Sequence, residues 1–201
     1  MFENIIKNVH NRHPLIHCIT NYVSINDCAN IVLACGGAPI MAEDINEVSQ
    51  ITSICQGLDI NIGMLNDNKL SSMLKAGATA NELGIPVILD PVGAGSSDYR
   101  IKAVQNLMSN VQFGVIRGNV SEIKAIAAKQ GIHNIAAGVY ETMQKNKSAM
   151  GVEAGIADKI TDDNIKEMAD FINKLSQKTG AVIAVTGGID MVADENRVYA
   201  I

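Results

Sequence analysis

Short apolar runs alternate with longer amphipathic ones along most of this chain, and that alternation limits the folds open to it more than any other feature. Leu15–Ile19, Ala38–Met41, Leu58–Ile62, Pro86–Leu89, Val111–Ile116 and Ala181–Val185 read as strands, with Pro86–Leu89 a buried one. Between them Ser24–Ala34, Ile45–Cys55, Asn68–Leu83, Tyr99–Met108, Val120–Lys129 and Asp163–Lys178 carry helical periodicity. Thr161-Asp162 is placed to cap the last of these. Met191–Ala193 and Arg197–Ile201 read as a hairpin around Asp194-Glu195-Asn196. Residues 130–160 have weaker periodicity and read as a helix with an irregular loop. Strands alternating with helices build βαβ units and a mostly parallel sheet. Such sheets bind ligands at the C-terminal ends of their strands, so the residues after each strand are the place to look for chemistry.

Composition narrows the function classes. The 201 residues suit one domain, residues 1–201, with no linker or internal repeat. Hydrophobic residues make up 47% and charged residues 18%, a globular balance. Aromatics are 3% and Trp is absent, so Ile, Val, Leu, Ala and nine Met must build the core. A net charge of −5 argues against nucleic-acid binding, which needs a basic face. Cys18, Cys28, Cys35 and Cys55 show no CxxC pairing and are expected as reduced thiols of a cytoplasmic protein. The first residues, MFENIIKNVHNRH, lack the apolar core of a signal peptide. The longest uncharged apolar stretch, Ile31–Ala42, holds Gly36, Gly37 and Pro39 and is too short to span a bilayer, so no membrane association is expected.

Several strand ends carry residues with chemical potential. Asp90-Pro91-Val92-Gly93-Ala94-Gly95 precedes Ser96-Ser97 and a helix. Glycine amides and a helix start can hold an anion there, and the carboxylate can hold Mg²⁺; an ordinary Ser-capped turn is the competing reading. Arg117-Gly118-Asn119-Val120-Ser121-Glu122 offers a guanidinium for phosphate, or simply a capping box of Asn119 with Glu122. Thr186-Gly187-Gly188 is a phosphate contact or a glycine turn. Asn21 is a ligand contact or a helix cap, and Met41 lines an apolar pocket or packs in the core. His10, His13 and His17 have helical spacing, but Pro14 interrupts it and no zinc site is expected there. Cys35 lacks a paired base and is expected to be a small buried residue. No GxxxxGK[ST] motif occurs, which excludes a P-loop nucleotide site.

Taken in order, "PLIHCITNYV", "GGAPIMAED", "NIGML", "ANELGIPVILDPVGAG", "IRGNVSEI", "GVEAG" and "AVTGGIDMVADENRVYAI" resemble the hydroxyethylthiazole kinase family from about residue 13 to 201. The resemblance implies a ribokinase-like three-layer α/β/α fold and a homotrimer with sites between subunits. It implies ATP- and Mg²⁺-dependent phosphorylation of 4-methyl-5-(2-hydroxyethyl)thiazole in thiamine biosynthesis. By motif, Met41, Asn21 and Val23 match the thiazole pocket, and Ile62 and Gly63 a loop lent by a neighbouring subunit. Arg117, Thr186 and Asn119 match the ATP side, and Asp90 with Glu122 the acidic pair near Mg²⁺.

The family carries a further Gly-Thr/Ala-Gly-Cys segment and C-terminal helices beyond the hairpin, whereas this sequence stops at Ile201. The resemblance therefore assigns no catalytic residue in this chain, and it implies poor or no kinase activity and exposed apolar surface for the chain as written. Two other readings stay open: an inactive thiazole- or nucleotide-binding homologue, and another vitamin-precursor kinase such as a hydroxymethylpyrimidine kinase.

Overall fold

The computed structural model describes residues 2–132 and 160–201 and divides the chain into two compact units. The expected helix and loop of residues 130–160 lie almost wholly outside the described residues.

The first unit comprises Met1–Leu89 with Ser109–Gln112. It contains α1 (Phe2–Arg12), β1 (Leu15–Ile19), α2 (Ile25–Ala34), β2 (Ala38–Ile40), α3 (Val48–Ser53), β3 (Gly57–Asn61), α4 (Asp67–Glu82) and most of β4 (Val87–Asp90). Its strand order is β2-β1-β3-β4, with β1 parallel to both β2 and β3. Crossover helices make this order possible, because parallel neighbours need long return connections. In α4, Ser72, Met73, Ala76, Gly77 and Ala80 fall on one helical stripe and are buried. Small residues are required there: a Cβ on Gly77 would sit 2.5 Å from Val111 Cγ2.

The second unit comprises Asp90–Met108 and Phe113–Ile201. It holds most of α5 (Asp98–Asn110), then β5 (Val115–Asn119), α6 (Val120–Lys129), α7 (Ile165–Thr179), β6 (Val182–Thr186), β7 (Met191–Ala193) and β8 (Val198–Ala200). Its strand order is β5-β6-β7-β8; β5 and β6 are parallel, and β6-β7-β8 run antiparallel through the expected hairpin. Met168, Phe171, Ile172 and Leu175 form the buried stripe of α7, which packs on β6 and β7.

Four sequence expectations need correction. The strand expected from Val111 begins only at Val115, because Gln112 is pinned to Asn81 of α4 through its N–H (2.7 Å) and its carbonyl (2.9 Å). Thr161-Asp162 does not cap α7; Asn164 precedes the helix, and its Oδ1 accepts from the Thr161 N–H instead. Pro86–Leu89 is not buried on both faces: Val87 and Leu89 are buried, while strand alternation leaves Ile88 41% exposed. Cys35 is exposed, since it ends α2, a helix with no buried residue.

Candidate functional site

The strand ends of the second unit bring together five of the expected site residues. Asp90 closes β4, and its Oδ2 lies 3.5 Å from Arg117 Nη1 of β5. Arg117 is 52% exposed, so the pair is loose and the guanidinium keeps a solvent-facing side. Thr186 is the register partner of Asn119 at the ends of β6 and β5. Its hydroxyl lies 3.5 Å from the Gly118 carbonyl, at the outer limit of a hydrogen bond.

Glu122 organises this cluster. Its Oε1 accepts from the Gly93 N–H at 2.8 Å and its Oε2 from the Asn119 N–H at 2.8 Å. Asn119 Oδ1 in turn accepts from the Glu122 N–H at 2.9 Å, which completes the capping box expected from the sequence. One carboxylate thus ties the loop after β4 to the start of α6. Gly93 sits at φ 66°, a left-handed conformation that favours glycine.

The same bonds decide between the two readings of the Gly93 turn. The Gly93 amide is taken by Glu122, that of Ala94 by the Pro91 carbonyl and that of Ser96 by the Gly93 carbonyl. Ser97 Oγ accepts from the Arg100 N–H, capping α5. The geometry is that of a capped turn, with those three amides directed within it. Asp190, two residues after Gly188 in the same motif, closes the Thr186-Gly187-Gly188 turn by accepting from the Gly187 N–H at 2.9 Å.

In the first unit, Asn21 and Gly63 meet. Asn21 Nδ2 donates to Asn61 Oδ1 (3.1 Å), which also accepts from the Gly63 N–H (2.8 Å). A Cβ on Gly63 would lie 2.9 Å from Asn61 Oδ1 and 3.1 Å from Asn21 Nδ2, so the loop depends on glycine. Asn21 Oδ1 collects the N–H groups of Val23 and Ser24 at 3.1 Å each, a turn ahead of α2 rather than the expected helix cap, since Ser24 is the residue that precedes the helix. Val23 is 89% exposed and Met41 half-buried, whereas the Ile62 side chain is fully buried and leaves only backbone to face a ligand.

Sequence reasoning missed a second polar cluster there. Lys69 of α4 is buried, yet its Nζ reaches the Thr20 carbonyl at 2.5 Å and Glu43 Oε2 at 2.8 Å, and lies 4.6 Å from the Tyr22 ring centre. The Tyr22 hydroxyl donates to Glu43 Oε1. Burial disfavours charge on Glu43, but the bonds from Lys69 and Tyr22 and the Lys69 charge outweigh it and hold the carboxyl below its ordinary range. The Tyr22 hydroxyl is pushed up by its bond to Glu43. Asn61 was detectable, since it ends a strand inside "NIGML"; Lys69 carried no such mark.

Comparison with known proteins identifies the family. Residues 6–161 match the model of the hydroxyethylthiazole kinase family. The chain is 51% identical over 201 residues to a hydroxyethylthiazole kinase of Clostridium acetobutylicum, covering all of this chain and 68% of that protein. It is 44% identical to one of Desulfovibrio desulfuricans, covering 65% of its length. The chain thus spans about two thirds of the length of these relatives. The solved hydroxyethylthiazole kinase structure of Pyrococcus horikoshii superposes with a TM-score of 0.80 at 31% identity, over 98% of this chain and 65% of that one. A Clostridium difficile phosphomethylpyrimidine kinase, 12% identical with a TM-score of 0.60 over 92% of this chain and 83% of its own, shares the fold alone.

Proposed function

The chain belongs to the hydroxyethylthiazole kinase family, with a ribokinase-like α/β fold, and from that membership we propose that its full-length product transfers the terminal phosphoryl group of ATP to the alcohol of 4-methyl-5-(2-hydroxyethyl)thiazole. The observation that carries this reading is the Asp90–Arg117 pair at neighbouring strand ends, braced by Glu122. Phosphoryl transfer asks a protein for alignment and charge neutralisation more than for covalent chemistry. A half-exposed guanidinium is suited to phosphate oxygens, and Thr186 and Asn119 stand beside it on paired strand ends.

The donor set suits Mg²⁺, a hard cation that takes carboxylate oxygen. Asp90 is the residue that would hold it. Glu122 has each carboxylate oxygen already bonded to a backbone N–H, so its main contribution is to fix the Gly93 and Asn119 loops. Bound Mg²⁺ supplies charge neutralisation at the phosphate oxygens. Asn21, Val23 and Met41 are the thiazole-side residues of this reading, completed by Ile62 and Gly63 of a neighbouring copy. The exposed side chains of Tyr22, Val23, Ile31 and Leu33 on the first unit support a homotrimer that covers them. All four cysteines are free, and among the described residues no helix is long and apolar enough to cross a membrane; both facts support a cytoplasmic setting.

The test is ADP release by the full-length gene product with thiazole alcohol or hydroxymethylpyrimidine as acceptor. Turnover with the pyrimidine alone would overturn the assignment. Arg117→Ala is expected to raise the apparent KM for ATP about tenfold and spare thiazole binding. Unchanged ATP kinetics would remove Arg117 from the nucleotide side, and undiminished Mg²⁺-dependent turnover in Asp90→Asn would remove Asp90. Native mass distinguishes a trimer from other assemblies.

A further inference from the structure

The first unit holds a cluster that the kinase reading does not use. Cys18 of β1 and Asp59 of β3 are register partners on parallel neighbouring strands, so their side chains leave the same face of the sheet. Cys28, in the first turn of α2, comes down on that face. One ligand atom from each, two Sγ and a carboxylate oxygen, lies within 4.8 Å of the others. We propose that Cys18, Cys28 and Asp59 form a binding site for a thiophilic divalent cation of the zinc class.

The geometry and the donors agree with such an ion. Two thiolates in a tetrahedral zinc site stand about 3.8 Å apart, from a Zn–S distance of about 2.3 Å. The separations here, none above 4.8 Å, lie within about 1 Å of that spacing or inside it. Two sulfurs with one carboxylate select zinc or cadmium over Mg²⁺ and leave a fourth position open for water. The ligands come from three different elements, so the ion fastens β1, α2 and β3 together, three residues before Asn21. Cys18 is buried, whereas Cys28 and Asp59 keep partial exposure and give the ion its way in. This place is distinct from the histidines: His13 Nδ1 meets the Gly36 carbonyl, and His17 is engaged by Thr52 and Ala42.

Burial pushes both thiols up, and the charge of Asp59 and the neighbouring Cys28 and Cys55 add to the rise at Cys18. Cys55 is itself raised by burial. The metal-free thiols are therefore protonated at neutral pH, and a cation must displace their protons, so its affinity rises with pH.

The experiment titrates Cd²⁺ and Co²⁺ into the chelator-treated protein. The expected result is one cation per chain, an ultraviolet thiolate-to-cadmium charge-transfer band, a tetrahedral Co²⁺ spectrum and a raised Tm. Cys28→Ser and Asp59→Asn should each weaken binding at least about tenfold, while Cys35→Ser, outside the cluster, leaves it unchanged. Absence of binding, affinity unchanged in Cys28→Ser, or a band lost in Cys35→Ser would overturn the site. A readout on the unsubstituted protein guards against misfolded variants. Cd²⁺ should slow alkylation of Cys28 but not of Cys35, and equal rates with and without the ion at Cys28 would also overturn the proposal.

Discussion

Glu122 in the second unit and Lys69 in the first are both buried charges that tie together loops following strands, but they are satisfied by different partners. Glu122 is held by the backbone N–H groups of Gly93 and Asn119. Lys69 is held by the Thr20 carbonyl and by the side chain of Glu43, which is itself 42% exposed. A carboxylate gripped by backbone amides fixes the path of the main chain without engaging neighbouring side chains such as Arg117, which keeps its loose pair with Asp90 and a solvent-facing side. A cation gripped partly by a side chain holds its loops through groups that keep rotamer freedom. The first arrangement suits a place where charge must be aligned, the second a place where a loop adapts to a small neutral molecule.

The largest effect should therefore come from Glu122. Glu122→Ala leaves two part-buried N–H groups without acceptors and is expected to cost about 3 kcal/mol in urea unfolding. Glu122→Gln keeps one accepting oxygen but turns an amide donor on the other N–H, and should cost about half as much. A loss below about 1 kcal/mol for the alanine variant would show that the two loops are held by something else.

Lys69→Met tests the other side of the comparison. It removes the charge but keeps most of the stem, and it leaves Glu43 able to turn to water because of its exposure. The expected cost is about 2 kcal/mol, less than for a fully buried pair broken from one side. Glu43→Gln, on the exposed partner, should cost under about 1 kcal/mol. Equal losses for the two partners would mean that Glu43 is as firmly held as Glu122, and the contrast between the units would fail.

What could be read in the sequence follows the range of each interaction. The capping box of Asn119 and Glu122 was legible because its partners are three residues apart and of diagnostic type. The bond from Gly93 to the same Glu122 spans 29 residues and leaves no local mark, so the residues offered Glu122 only as half of a capping box, and the resemblance as part of the acidic pair near Mg²⁺. The strand expected over Val111–Ile116 was legible as an apolar run, but neither of its bounds was: it runs Val115–Asn119, and Asn81 pins Gln112 from 31 residues away. Lys69 falls on the stripe of small and apolar residues along α4; a charge on a helix reads as surface unless its distant partners are known. Cys18 and Asp59 likewise become neighbours only through the register of β1 with β3.

The smallest effect concerns a buried titratable group that carries no charge at all. His17 is completely buried, with Nε2 2.8 Å from the Ala42 carbonyl and Nδ1 2.9 Å from Thr52 Oγ1. The carbonyl only accepts, so Nε2 bears the proton and Nδ1 accepts from the Thr52 hydroxyl. Burial lowers the His17 pKa below 6.5, against the opposing pull of the Ala42 bond and the Glu47 charge. Between the folded and unfolded values the unfolded chain binds the extra proton, so the contribution of His17 is fully present above 6.5 and is lost as pH falls below it. The urea midpoint should drop as the protein is taken from about pH 7 to 5, where carboxylates still contribute little. His17→Gln should lower stability at neutral pH and flatten that slope; the same slope in both proteins would mean that the neutral imidazole is not what the first unit needs at this position.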